Sequence, residues 1–160
     1  MHRDPGRALL RHTLATLAYR GGKAVRDAPA GFEAFAAGPA TRTPAQILAH
    51  MGDLMDWGLS IARGEERWHN SAPRPWEDEV SRFFAALEAF DAFVASDQSL
   101  AVMPEKLFQG PVADALTHVG QIALLRRLAG GAVRGENYFK AEIVEGRVGR
   151  EQAPPRREFD

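Results

Sequence analysis

Apolar positions recur along the chain in steps of three and four, the rhythm of helices that bury one face. Leu10, Leu14, Leu17, Gly21 and Ala24 form the first such row, with spacings of 4, 3, 4 and 3. Asp4-Pro5 just ahead of it reads as an N-cap followed by proline at the first helical position. A second row comprises Ile47, His50, Met51, Leu54, Trp57, Gly58 and Ile61. It follows Thr43-Pro44-Ala45-Gln46, where Thr and Gln form a capping box, and it stops near Gly64. Pro75 opens a third helix whose row of Trp76, Val80, Phe83, Leu87, Phe90 and Val94 keeps the 4-3-4-3-4 rhythm of a bundle seam. Gly110-Pro111 starts the fourth, with inner positions Ala115, His118, Ile122, Leu125 and Ala129, and Gly130-Gly131 ends it. Gly21-Gly22 interrupts the first row at a cost of roughly 1 kcal/mol per glycine, marking a kink or a close approach of two backbones.

Between these rows the pattern breaks. Residues 27–42 shift to Ala, Pro and Gly, with Phe32 and Phe35 placed to tuck the connection onto the bundle. Residues 65–75 read as a loop, and residues 97–110 as an irregular crossing that holds Met103-Pro104 and the pair Leu107-Phe108. In the tail, Gly135 to Ile143 is compatible with a short fifth helix, and Pro154 to Asp160 with an extended segment. No alternating strand pattern, repeat or low-complexity tract is present. Four long helices predict an all-α bundle, one domain over residues 1–160, with residues 132–160 packed on the surface or on a partner.

Composition narrows this picture. The 160 residues are 45% apolar and 26% charged, ordinary for a globular domain large enough to bury a core. A formal net charge of -1 gives no electrostatic footprint for nucleic acid. The absence of cysteine removes disulfides, thiolate metal sites and a cysteine nucleophile. No apolar run approaches the roughly 20 residues of a membrane span. Arg11 and His12 separate Leu9-Leu10 from Leu14, so no signal-like apolar core is read near the N-terminus, and a cytoplasmic protein is expected.

The chemistry concentrates in Pro111-Val-Ala-Asp114-Ala-Leu-Thr-His118-Val-Gly-Gln121. On a helix, Asp114 and His118 stand one turn apart on the same face. His50, in the apolar row of another helix, is the candidate third ligand. Two imidazoles and a carboxylate suit Zn, Fe, Ni or Mn and leave positions open for water or substrate, as catalytic sites do. Other readings stand beside this one. A histidine on an apolar face is commonly a hydrogen-bonded core residue, and Asp114, three residues after Pro111, suits the first turn of a helix, where the dipole favours a carboxylate. Asp114 is also placed to hydrogen-bond His118.

Asp53, one turn after His50, is either an acceptor that orients it or, with Asp56, a solvated side chain. Gln121 is placed to bond across helices or to line a pocket. Tyr19, Trp57 and Tyr138 are candidate pocket walls, with core packing as the commoner use of such rings. His2, His12 and His69 lack partners at ligand spacing, and Arg126-Arg127 is expected to face solvent or close ion pairs. No Gly-x-Ser-x-Gly, phosphate-binding loop or dinucleotide fingerprint occurs.

At these residues the chain resembles the DinB/YfiT-like superfamily of metal-binding four-helix bundles over nearly its whole length. Thr43-Pro-Ala-Gln-Ile-Leu-Ala-His50 is similar to the family's second-helix histidine motif. The run from Asp114 through His118-Val-Gly-Gln121 to Leu128-Ala-Gly130 is similar to its fourth-helix His-x-x-x-His, Gly-Gln and Leu/Arg pattern. Gly135-Glu-Asn-Tyr138 and Gly146-Arg-Val-Gly149 look like the tail of one subgroup. The resemblance implies an up-down-down-up bundle, often a homodimer, in which three histidines hold a divalent transition metal. His50 and His118 match two of those positions, and Asp114 stands where the family has the third. It further implies a bacterial cytosolic enzyme acting on a small molecule. Thiol-dependent S-transfer with bacillithiol, mycothiol or glutathione as cosubstrate is expected, or related hydrolysis. The alternative is a non-catalytic bundle that binds a small ligand or partner through a degenerate site.

Overall fold

The computed structural model of the chain describes residues 4–159. Four helical rods account for most of it: α1 (Pro5–Val25), α2 (Pro44–Ala62), α3 (Trp76–Ala95) and a composite rod of α4 (Pro104–Leu107) and α5 (Ala113–Leu128) joined by a π-helical turn, Phe108–Val112. The start signals act as expected. The Asp4 carboxylate accepts from the backbone N–H of Gly6 at 2.9 Å and of Arg7 at 3.4 Å. At α2 the box closes both ways: Thr43 Oγ1 accepts from Gln46 N–H at 3.3 Å, and Gln46 Oε1 from Thr43 N–H at 2.8 Å. Pro75 offers α3 no side-chain cap, but Glu77, Asp78 and Glu79 place negative charge on its first turn.

Contacts between named residues set the direction of each rod. Arg7 at the start of α1 donates to the carbonyls of Val94 and Ser96 at the end of α3, both at 2.9 Å, so these helices are antiparallel. Arg82 reaches Ala49 O, and Gly58 lies against Phe90, so α2 and α3 run parallel. Residues 63–75 carry the chain back between them. Gly6 meets Pro104 and Gly21 meets Val119, so the α4–α5 rod runs parallel to α1. The order is up, down, down, up. Both α1 and α2 pack on α3 and on α5, which places α1 and α2 at opposite corners. The core between them holds Leu14, Leu17, Met51, Leu54, Met55, Phe83, Leu87, Phe90 and Ile122, each 2% exposed or less. No helix among the described residues is long and apolar enough to cross a membrane.

Two expected elements differ. The fourth rod begins at Pro104 rather than Pro111, so what read as an irregular crossing is partly helical. Leu107 is fully buried, which rewards continuing the helix upstream. Pro111 has no N–H to donate, and its ring crowds the preceding turn; the wider π turn accommodates it inside the rod. The tail does not form the expected short C-terminal extra helix. Gly135–Glu136 instead pairs antiparallel with Glu158–Phe159, with Gly135 opposite Phe159, and only Tyr138–Lys140 makes a single 3-10 turn.

The reason lies in Glu136. It is buried against α1, where it accepts from Tyr19 Oη and pairs with Lys23 Nζ at 3.0 Å; Lys23 also reaches Glu158 at 3.0 Å. An extended segment delivers Glu136 and Glu158 to one ammonium, which a helix over 135–143 would not do. Burial, and then the Glu136 carboxylate, push the Tyr19 hydroxyl well above its usual range, so it stays a donor. The Arg11–Glu145 pair at 2.8 Å and buried Val148 hold the rest of the tail to the same bundle.

Removing one partner of a buried ion pair leaves the other charge uncompensated, at about 3–5 kcal/mol. Because Lys23 keeps Glu158 as a partner, Glu136→Ala is expected at the low end, lowering the melting temperature by roughly 6–12 °C. Glu151→Ala, at an exposed position of the same tail, is expected to move it by no more than about 2 °C in thermal denaturation followed by circular dichroism.

Candidate metal centre

Because α2 and α5 are antiparallel, residues to one side along α2 meet residues to the other side along α5. Gly58 faces Pro111, and two turns away His50 faces His118. The two imidazole rings stand edge to face, 4.8 Å apart between centroids and at 90°. Asp114, one turn before His118, closes the group: Oδ2 lies 3.5 Å from His50 Nε2, and Oδ1 lies 3.4 Å from His118 Nε2. One donor atom from each of the three residues falls within 4.8 Å of the others. Ligands about 2.1 Å from a shared tetrahedral ion stand about 3.4 Å apart; each imidazole has one Asp114 oxygen at about that separation, and the set with one donor per residue, within 4.8 Å, would draw in slightly around an ion. Donor chemistry and spacing both fit a divalent transition metal.

The environment prepares these donors. His118 is 9% exposed, and its Nδ1 lies 2.8 Å from Gln121 Oε1. With that oxygen accepting, the ring proton sits on Nδ1, and the Nε2 lone pair faces Asp114 and His50. Burial lowers the affinity of His50 for a proton, helped by the neighbouring His118 and Arg42 charges and opposed by Asp114. A neutral imidazole at pH 7 is what a metal requires. Trp68 packs edge-on against His50 at 5.5 Å and is itself braced by Trp57 at 5.7 Å.

The helix-start explanation of Asp114 loses its footing. The rod is already helical from Pro104, the N–H of Ala113 is bonded to Gly110 and Phe108 carbonyls, and Asp114 caps no backbone group. Its carboxylate is directed at the two histidines, with the Thr117 hydroxyl 3.5 Å from Oδ1.

A second cluster of similar composition, Asp53, Asp56 and His69, has a different character. Arg82 occupies it: its Nη2 donates to Asp53 Oδ1 and lies 3.4 Å from Asp56 Oδ2. Asp53 Oδ2 also accepts from Ser71 N–H at 2.8 Å, and Oδ1 from Ser71 Oγ at 2.7 Å. His69 Nδ1 stands 3.0 Å from Asp53 and Nε2 3.3 Å from Asp56. Burial works against the Asp53 charge, but the Ser71 and Arg82 bonds outweigh it and hold the carboxyl below its usual range. A guanidinium already lies between the two carboxylates and offsets part of their charge, so this cluster is less open to a cation than the group at His50.

Asp53 is therefore neither solvated nor an acceptor for His50. It fastens residues 63–75 to α2 and α3, and that loop presents Trp68 to His50. Arg82, Ser71 and His69 were missed as a group in the sequence, since the contact joins a loop to two helices with no local spacing. Gly52 was the available signal: a Cβ there would lie 2.8 Å from Arg82 Nη1.

The remaining candidates fall elsewhere. Tyr19 and Tyr138 pack edge to face at 6.2 Å beside Glu136, away from the histidines. Arg126 is buried rather than solvent-facing. It donates to the carbonyls of Ala24 in the last turn of α1, of Arg26 and Asp27 just beyond it, and of Gly131 at 2.8 Å. His12 is exposed, and His2 lies outside the described residues. Two cavities flank the three candidate ligands. A polar one of about 220 Å³ is lined by Arg42, Gln46, His50, Asp53, Asn70, Ser71 and Pro73. A largely apolar trough of about 410 Å³ reaches from Arg42 and Ile47 past His118 and Gln121 to Leu124, Leu125 and Leu128.

Compared with protein-family models, with curated proteins and with solved structures, the chain matches none.

A histidine held neutral in the folded state but free to charge in the unfolded chain favours unfolding as protons are added. His50 thus supports the fold fully above its unfolded value near 6.5, and that support falls away as pH drops below it. Melting curves of chelator-treated protein between about pH 8 and 5 are expected to fall less steeply for His50→Gln than for the parent chain. Equal slopes would remove His50 as the source.

Proposed function

We propose that the chain is a divalent-metal-dependent enzyme of the DinB-like kind, with His50, Asp114 and His118 as the metal ligands. One observation carries this reading: two antiparallel helices bring three donor side chains to within 4.8 Å, with one imidazole held by Gln121 so that its lone pair faces the other two. The up-down-down-up order of the rods supports the DinB-like resemblance.

A bound Zn, Ni, Fe or Mn ion would lower the pKa of a water or small thiol at its open position and so supply a nucleophile near neutral pH. The chain's own residues do the rest. Gln121 fixes the ring proton of His118. Trp68, set by the Asp53–Ser71–Arg82 anchor, limits the mobility of His50 and keeps water from one side of its ring. Asp114, at 47% side-chain exposure, is the donor of the three most open to solvent. Thiol-dependent S-transfer is the expected chemistry, with hydrolysis as the related form, in a bacterial cytosolic homodimer.

A non-catalytic ligand-binding bundle is the second reading. It is favoured by the way Asp114 already sits beside both imidazoles, a self-contained polar group that needs no ion to be satisfied.

Elemental analysis of untagged protein after chelation and zinc reloading is expected to find close to one equivalent. His118→Ala and Asp114→Asn should weaken zinc binding by well over tenfold, and Gln121→Ala by about 10- to 100-fold through loss of orientation. Uptake below about a tenth of an equivalent would sink the metal assignment. Metal-loaded protein should accelerate consumption of a small thiol by an electrophile relative to His118→Ala. Full metal loading without any acceleration in a panel of thiols would favour the binding reading.

A further inference from the structure

Arg42 is exposed and, among the described residues, makes no hydrogen bond or ion pair, although it borders both cavities beside the metal-ligand trio. The apolar trough that it borders lies along α5 from His118 to Leu128, and Leu124 and Leu128 on its wall are 56% and 57% exposed with no chain segment covering them. Isolated exposed leucines are ordinary, but two on consecutive turns lining a cavity that also borders an unpaired cation make an amphipathic feature. Its volume, about 410 Å³, falls within the range of small-molecule sites, roughly 300–1,000 Å³.

We infer that this trough binds an amphipathic organic anion, its carboxylate or similar head on Arg42 and its apolar body along Ile47, Leu124, Leu125 and Leu128. This assignment names the substrate class of the proposed centre, and it rests on that reading for its link to chemistry but not for binding itself. A guanidinium gives a carboxylate two parallel hydrogen bonds, and the polar side of the boundary, with Gln46 and Asn70, keeps the head hydrated. The apolar body gains by leaving water against the leucines. His118 and Gln121 lie on the same wall, so a ligand seated this way lies beside His118 of the proposed centre. A neutral ligand would leave Arg42 unpaired, and a cation would be repelled by it.

Calorimetric titration of the chelator-treated full chain with octanoate and with neutral octanamide tests this. Octanoate is expected to bind saturably at one equivalent, and octanamide about tenfold more weakly. Arg42→Gln should weaken octanoate about tenfold and leave octanamide unchanged, whereas Leu124→Glu should weaken both. Circular dichroism and melting curves check that each variant is folded. Equal octanoate affinity in Arg42→Gln, or equal affinity for octanoate and octanamide, overturns the assignment. So does binding that appears only after zinc loading and is lost in His118→Ala but not in Arg42→Gln, which would place the head on the metal. A dimer in sedimentation that Leu124→Glu dissociates would show that a second copy covers the trough, and also overturns it. Failure of zinc uptake, measured separately, counts against the metal reading alone, because the octanoate titration needs no metal.

Discussion

Two helices can bring their facing side chains into one group only if their axes are held at a set distance, and here that distance is set by Gly58. A Cβ at this position would lie 2.7 Å from the Phe90 ring and 3.1 Å from Pro111, closer than packed atoms tolerate. Bare backbone at Gly58 lets α2 settle against α3 and the π turn at the same time. The antiparallel course then carries the contact two turns along, to where His50 and His118 meet. The site is a consequence of helix spacing determined at a residue with no side chain.

Polar ties do a related job where the rods end. Arg7 closes the carbonyl end of α3, and Arg126 closes that of α1. Arg82 joins α3 to α2 and to the loop after it. Each is a guanidinium whose several donors satisfy groups that would otherwise be buried without partners. Only Arg82 bears on the candidate metal ligands, through Asp53, Ser71 and the loop that seats Trp68. The ordering of His50 therefore depends on an ion network that never touches it.

The helical rows were legible in the sequence because a 3.6-residue period is a local signal. Most apolar residues assigned to a row are buried, with Trp57, Ile61, Trp76 and Ala129 half-buried at the row edges, and Thr43-x-x-Gln46 behaves as its composition indicates. His50, Asp114 and His118 were legible as a group because two of them share a helix face and the third lies in an apolar row. What could not be read depends on contacts distant in the chain. The tail pairs as strands since Lys23, far upstream, draws Glu136 and Glu158 together. Asp53 and Arg126 looked like surface charges until a partner from another element was beside them. Pro111 read as a helix start by the usual rule, whereas buried Leu107 ahead of it favoured a widened turn instead.

That widened turn has a geometric consequence. A π turn carries one residue more than the regular count, and each residue advances an α-helix by about 100°. The stretch Pro104–Leu107 and the stretch beginning at Ala113 thus belong to one rod but to two rotational phases. Leu107 can point into the core in the first phase, while Ala115 and His118 point inward in the second. A deletion of a single residue between 108 and 112 would barely alter composition. It would nonetheless swing Asp114 and His118 by more than a quarter turn relative to the upstream half of the rod, and away from the histidine they face across α2.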